Sequence, residues 1–248
     1  MIYLYISKDI IKKRFSRKLG SYDDNAKVQK QMCEKLLSYI PKDRKYENIL
    51  EIGCGTGLLT KLAADNLEYS FYVANDIVPT CEEYIKKINS KIEFIPKDIE
   101  EFIQKTDKKF DLIISNATLQ WIENFDRFIG ILIEKLNKGG LLIFSTFGKE
   151  NFREIYFVIG KTLQYYSAGE LKEILCNYQH TIEEEVRILA FKTPKDVLKH
   201  IRQTGVNAIS SETWTKKDLS EFETGYNNFC SGKPTLTYNP IYIKIQSK

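Results

Sequence analysis

Disulfide and metal chemistry are thinly provided for in this chain. Its five cysteines, Cys33, Cys54, Cys81, Cys176 and Cys230, are odd in number, widely spaced and never arranged as CxxC. That pattern argues against a disulfide framework or a zinc site and points to reduced thiols in a cytosolic protein. With only His180 and His200 present, a multi-histidine metal site is not expected. No stretch approaches the ~18 consecutive apolar residues of a membrane helix. The leading MIYLYI is short and has its lysines after it, the reverse of a secretory signal. The expectation is a soluble, cytoplasmic protein without a membrane partner. Internal repeats, low-complexity segments and long linkers are absent as well, which favours one domain with inserted helices. There is no second basic domain, so a nucleic-acid partner is not expected.

What is present suits an ordinary soluble globule. A chain of 248 residues, 43% hydrophobic and 28% charged, buries enough surface to fold without staples. Its net charge of +4 is modest, yet the first 18 residues hold Lys8, Lys12, Lys13, Arg14, Arg17 and Lys18 against Asp9 alone. That leader is either a solvated helix face or a patch for an acidic partner.

From residue 46 onward strand-like and helix-like segments alternate. NILEIG (48–53), YSFYVANDI (69–77), KIEFIPKDI (91–99), KFDLIIS (109–115) and LLIFSTF (141–147) read as strands, the central ones apolar on both faces. Helical spacing marks 58–67, a Pro-started helix follows Asp76 and Ile77, and 126–140 reads as an amphipathic helix capped by Gly139. Apolar strands separated by helices imply an α/β fold with a parallel sheet covered on both faces. Beyond residue 148 the pattern loosens. NFREIYFVIGKTLQYY is a helix or lid, 170–178 a short helix and 180–191 a strand. Residues 194–205 form a helix between a Pro start and a Gly stop, and Thr215 caps another. TLTYNPIYIKI (235–245) is the last strand, with Pro240 marking an edge, a bulge or a break.

The strongest chemical signal is EIGCGTG (51–57), a strand running into glycines that open a helix. Gly53, Gly55 and Gly57 let the backbone approach a ligand closely. Asp76 falls at the end of the second strand, where a carboxylate can bridge two ribose hydroxyls. The dinucleotide fingerprint is GxGxxG, whereas here the run is GxGxG followed by Leu58. A pyrophosphate would also meet the negative charge of Glu51. The spacing instead resembles motif I of the class I, S-adenosylmethionine-dependent methyltransferases. By that resemblance the fold is Rossmann-like, with a seven-stranded, mostly parallel sheet, one antiparallel strand, helices on both faces, and N-terminal and inserted helices. Glu51 matches the acid that meets the methionyl ammonium. Gly53, Cys54, Gly55 and Gly57 match the loop under the cofactor, and Asp76 the ribose partner. Asp98 matches the residue that binds the adenine amino group, with Ile77 and Ile99 sandwiching the ring, although Asp98 also suits a helix cap. In SNATLQWI, Asn116 and Ala117 would hold the sulfonium end, and Trp121 would wall the transfer site unless it is a core aromatic.

The blocks RFSRKLGSYDDNAKVQ, SNATLQWI, FSTFGKENFREI, HIRQTGVNAIS and LTYNPIYI together resemble the malonyl-acyl-carrier-protein O-methyltransferases of biotin synthesis, over nearly the whole chain. Relatives often carry Asp where Glu51 stands, and the basic leader is unusual for them. The resemblance implies transfer of a methyl group from S-adenosylmethionine to the malonyl carboxylate, on acyl carrier protein or coenzyme A, without a metal. A carboxylate with a pKa of roughly 3–5 is already ionised, so no general base is required. Tyr22 is the candidate for closing over the methyl group and Arg202 for gripping the substrate carboxylate, if it is not simply solvent-exposed; His200 reads as structural or exposed. One methyltransferase domain is expected over 1–248: an N-terminal helical cap (1–45), a cofactor-binding half (46–147) and a substrate-side half (148–248). The alternatives are another small-carboxylate or quinone-type methyltransferase, or a cofactor-binding module without catalysis.

Overall fold

The computed structural model describes residues 2–3, 6–204 and 214–248. The chain divides into two compact units. One, called here the sheet unit, comprises Lys27–Thr146, Ala168–Glu183 and Ile241–Lys248. The other, the helical unit, comprises Met1–Ala26, Phe147–Ser167 and Glu184–Pro240. In chain order the helices are α1 (Lys8–Ser16), α2 (Leu19–Asn25), α3 (Lys27–Ser38), α4 (Leu58–Asn66), α5 (Glu82–Ile88) and α6 (Ile99–Lys105). They continue with α7 (Phe125–Glu134), α8 (Arg153–Ile159), α9 (Ala168–Ile174), α10 (Pro194–Gln203) and α11 (Lys216–Phe229). Among the described residues, no helix is long and apolar enough to cross a membrane.

The sheet unit is built on seven strands: β1 (Lys45–Ile52), β2 (Glu68–Asn75), β3 (Glu93–Ile95), β4 (Phe110–Ser115), β5 (Leu136–Phe147), β6 (Gln179–Glu184) and β7 (Pro240–Gln246). Their order is β3-β2-β1-β4-β5-β7-β6, and one strand runs antiparallel to the rest. β1 pairs in parallel with both β2 and β4, so chain order reverses at β1 and opens a crevice at its carboxyl end. Ile49, Leu50, Ile52, Leu112, Ile113 and Ile114 are buried on consecutive positions, as strands covered on both faces require. α7 buries Phe125, Phe128, Ile129 and Leu132, spaced to make one helical face. The expected α/β architecture is therefore the observed one.

Gly139 does not cap α7. The helix ends at Glu134 and β5 begins at Leu136. Gly139 lies inside β5 with φ +71°, where five steps from Leu136 to Leu141 oppose two from Phe110 to Leu112. It serves a bulge, the other place where a left-handed residue is needed.

In the helical unit a two-stranded antiparallel ribbon, Arg187–Ala190 with Thr235–Tyr238, packs with α8. α10 packs on α2 and α11. Thr193 and Thr215 each form a reciprocal capping box, with Asp196 and Asp218, at the starts of α10 and α11. Two expected strands turn out to be broken. Residues 180–191 divide into β6 and the ribbon strand, because Arg187 folds back on the Glu185 carboxylate at 2.6 Å and leaves Val186 exposed between them. Residues 235–245 divide at Asn239, the break that Pro240 allowed for. The Asn239 amide donates to Glu184 Oε1 (3.1 Å) and the Glu185 carbonyl (2.8 Å) and accepts from Glu150 N (3.1 Å). The Gly205 stop and the part of the HIRQTGVNAIS block from residue 205 to 210 lie outside the described residues.

Candidate active site

The carboxyl ends of β1, β2 and β4 are stitched together by polar groups. Where β1 gives way to the glycines, the N–H groups of Gly53 and Cys54 both donate to the Asn75 carbonyl, at 2.8 and 3.0 Å. The Asn75 side chain donates in turn to the carbonyls of Ile95 and Lys97, which binds β2 to the exit of β3. On the other side Ser115 Oγ donates to the Ile52 carbonyl at 3.0 Å, fixing β4 against β1. Three strand ends are thus held in register before any ligand is considered.

Gly53, Gly55 and Gly57 all adopt positive φ, at 70°, 54° and 87°. Gly53 is doubly constrained, since a Cβ there would lie 2.2 Å from Thr118 Oγ1. Above Gly55 no atom lies within 4 Å of the Cβ position, so its face of the loop is open. The Asp76 carboxylate accepts the Gly55 N–H on one oxygen and the Val78 N–H on the other, each at 2.9 Å. The Cys81 thiol and the Ile77 N–H are further partners, so four protein donors hold this carboxylate. Burial pushes the pKa of Asp76 up, against these backbone hydrogen bonds.

Glu51 is 1% exposed and accepts the Tyr72 hydroxyl at 2.6 Å. Burial pushes its pKa up to about 7, with Tyr72 acting in the opposite direction. A nearby cation would favour the charged form. Burial likewise pushes the Cys54 thiol up.

Asp98 is an N-cap: its side chain accepts the Glu100 N–H at 3.0 Å at the start of α6. It lies beyond β3, which is shorter than the expected 91–99 strand and ends at Ile95. Ile77 is half-buried and Ile99 is buried in the first turn of α6. After β4, Asn116 Oδ1 accepts the Ser145 hydroxyl at 2.7 Å, and Ala117 turns at φ +50° with its N–H on Ser145. Trp121 closes a short 3₁₀ turn, Leu119–Trp121, and is half-buried.

Glu51, Gly53, Cys54, Gly55, Gly57, Asp76, Ile77, Asn116, Ala117 and Trp121 all belong to the strand ends and loops of the sheet unit, with Asp98 and Ile99 at the next loop. Tyr22 and Arg202 belong to the helical unit, on α2 and α10, two helices that pack on each other. Tyr22 is half-buried and Arg202 exposed. His200 donates to or accepts from the Tyr238 hydroxyl at 2.8 Å, a structural contact within that unit. The sequence reading did not assign Tyr72, Asn75, Thr118 or Ser145. A tyrosine and an asparagine on the buried part of β2 are polar interruptions of an apolar strand, and that was the available signal.

Comparison with known proteins agrees with this geometry. A methyltransferase-domain family model matches residues 25–185. The solved N-methyltransferase NodS of Bradyrhizobium japonicum, in complex with S-adenosyl-L-homocysteine, superposes with a TM-score of 0.58 at 17% identity, over 96% of this chain and 98% of that one. YcgJ of Bacillus subtilis gives 0.62 at 10% identity, over 88% and 98%. At such identities the likeness is one of fold. Among curated proteins, the malonyl-[acyl-carrier protein] O-methyltransferase of Chlorobium luteolum is 34% identical over 97% of this chain and 96% of its own length. That of Calditerrivibrio nitroreducens is 37% identical over 94% and 95%. With open glycine loop, strand-end acids and nearly full-length kinship, the chain belongs to the malonyl-[acyl-carrier protein] O-methyltransferase family.

Proposed function

We propose that this enzyme methylates the free carboxylate of a malonyl thioester carried on acyl carrier protein, using S-adenosylmethionine, and so masks a charge ahead of chain elongation toward the pimeloyl group of biotin. The observation that carries the reading is the family kinship, which runs through both units rather than the cofactor loop alone. The residues fit the cofactor: Gly55 leaves open space, and the Glu51 and Asp76 carboxylates stand at the ends of β1 and β2 on either side of the loop. Glu51, the loop from Gly53 to Gly57, Asp76 with Ile77, Asp98 with Ile99, and Asn116 with Ala117 are the residues that would hold it. When bound, the cofactor supplies a methyl group on a positively charged sulfur, which an ionised carboxylate accepts without a base.

The protein's own contribution is placement. Trp121 and Tyr22 are assigned to walling the transfer site and excluding water, and Arg202 to orienting the malonyl carboxylate by a bidentate grip. The whole chain acts as one methyltransferase domain, and no metal is required.

Charge distribution supports an acidic carrier as partner. The helical unit holds seventeen Lys and Arg against twelve Asp and Glu, a net +5, while the sheet unit holds twenty against twenty-one, a net −1. Steered docking of an acidic partner predicts that the rate at low substrate falls as salt rises. A rate indifferent to salt would exclude it. The decisive experiment is mass spectrometry of malonyl carrier protein after incubation with enzyme and S-adenosylmethionine. One added methyl, removable by an esterase, is expected; an unchanged carrier alongside methylated coenzyme A thioester or free diacid would move the substrate elsewhere.

A further inference from the structure

Glu51 and Tyr72 share one face of the sheet. β1 and β2 run parallel with Ile49 opposite Tyr72 and Glu51 opposite Ala74, so Tyr72 is the diagonal neighbour of Glu51. The length of a tyrosine spans that diagonal, and its hydroxyl donates to Glu51 Oε2 at 2.6 Å. Both side chains are buried. Tyr72 is itself held in place. Its ring meets that of Tyr69 edge-on at 5.3 Å, and the Tyr69 hydroxyl accepts the Asn89 amide at 3.1 Å just beyond α5. Burial pushes the pKa of the Tyr72 hydroxyl up, so it keeps its proton and remains the donor. A phenylalanine would fill the same apolar space, so what the hydroxyl adds is the bond to Glu51.

The other groups around Glu51 bring it no positive charge. Burial and the nearby Asp76 oppose its ionisation, and Cys54 is the other titratable group beside it. Across the sheet it stands opposite Ala74 and Ile114. Hydrogen bonds from Tyr72 and from Thr60, in the first turn of α4, act the other way, and that from Tyr72 is the larger. A buried carboxylate in such company holds its charge through its donors. Resting on the function proposed above, in which Glu51 meets the cofactor's ammonium, we propose that Tyr72 is a positioning residue for that contact. Its hydroxyl fixes the Glu51 carboxylate in one orientation and keeps it charged to receive the ligand's amine. Without that donor Glu51 takes up a proton near neutral pH and the charge-assisted bond is lost.

The test compares the full chain with its Tyr72→Phe, Glu51→Gln and doubly substituted variants. Calorimetric titration with S-adenosylhomocysteine between about pH 6 and 8.5 reads the charge on Glu51. The ligand's own amine titrates alike in every variant and cancels from their ratios. In the parent, affinity should rise with pH through about 7, where Glu51 ionises. Tyr72→Phe should move that rise up by about one pH unit, so that it binds about tenfold more weakly at the acid end and nearly as well at the alkaline end. In the Glu51→Gln background the same change should alter affinity less than about twofold at any pH. Thermal melting supplies a readout without ligand. A higher folded-state pKa prolongs the window in which the folded protein keeps a proton that the unfolded chain has released. The fall in stability with rising pH should therefore extend to higher pH in Tyr72→Phe. A fluorotyrosine in place of Tyr72 keeps the shape and donates more strongly, and should move both profiles the opposite way. Unshifted profiles, or a loss of affinity equal at every pH and undiminished in the Glu51→Gln background, would overturn the assignment. A parent protein that binds no S-adenosylhomocysteine at all would instead overturn the proposed function.

Discussion

Glu154 in the helical unit and Glu51 in the sheet unit are both buried, at 2% and 1% exposure, yet their surroundings differ. Glu154 accepts the Thr237 N–H at 2.9 Å, the Thr237 hydroxyl at 2.6 Å and the Thr235 hydroxyl at 3.3 Å. Around it Asn151 and Asn239 bond to each other and to their neighbours, and Asn151 to the Tyr165 hydroxyl. Glu51 accepts the Tyr72 hydroxyl, has Thr60 as a further partner and a raised pKa, and in the same unit the amide oxygens of Gln29 on α3 and of Gln120 after β4 have no donor. The first cluster is complete in itself and positions backbone in the helical unit. The second leaves buried acceptors without donors in the unit whose strand ends carry the proposed site.

The largest expected effect would come from breaking the complete cluster. Glu154→Leu leaves the Thr237 N–H and two hydroxyls unsatisfied, and a loss of about 3 kcal/mol in denaturant unfolding is expected. Affinity of the surviving folded protein for S-adenosylhomocysteine should hold. A comparable loss of affinity in a still-folded variant would erase the distinction between the units.

Next come the glycines. Gly53→Ala adds a clash with Thr118 to a left-handed backbone, whereas Gly55→Ala adds only the backbone strain, about 1–2 kcal/mol. Gly53→Ala should lower the melting temperature clearly more than Gly55→Ala. Gly55→Ala should instead cost relatively more in cofactor binding, because its methyl group points into the open face. Equal effects of the two on melting would mean that Thr118 moves aside.

Glu51→Gln sharpens the comparison through pH. The folded-state pKa of Glu51 is raised from 4.5 to about 7, so the folded protein keeps a proton that the unfolded chain has released. This contribution makes ligand-free stability fall as pH rises between those values. Glu51→Gln should flatten that fall in melts between pH 5 and 8, and weaken S-adenosylhomocysteine binding about tenfold at pH 8, where a charged hydrogen-bond partner is lost. An unflattened profile would show that Glu51 does not titrate in this window. The smallest effect is expected at Arg202, which is exposed. Arg202→Ala should raise the Michaelis constant for the malonyl substrate a few-fold, roughly the worth of an exposed charged contact, and leave nucleoside affinity unchanged. Equal loss of both would remove it from substrate positioning.

Much of the sheet unit was legible residue by residue. Ile49, Leu50 and Ile52 announce a strand covered on both faces, and the glycines after Glu51 announce a loop with unusual backbone. Asp76 and Asp98 fell where strands end, although the cap at Asp98 needed the actual position of α6 to be seen. The errors share one cause. Gly139 can cap a helix or open a bulge, and its φ is the same in both; the choice lies with the partner strand through Phe110 and Leu112. Residues 180–191 read as a single run because local propensity is continuous through Glu185. For 235–245 Pro240 left a break open, and the Asn239 side chain, bonded to Glu184, the Glu185 carbonyl and the Glu150 N–H far along the chain, is what fixes it there. Gln29 and Gln120 carry no local signal at all, since an unsatisfied oxygen is defined only by what surrounds it.

By itself the sequence determined the α/β class, the parallel core, the acid-and-glycine loop and the kinship, because periodicity, backbone permissiveness and motif spacing are properties of neighbours along the chain. Only the tertiary structure decided where strands break, which buried carboxylate is saturated with donors and which acceptors stand empty of them. Hydrogen bonding and desolvation act between residues that folding alone brings together.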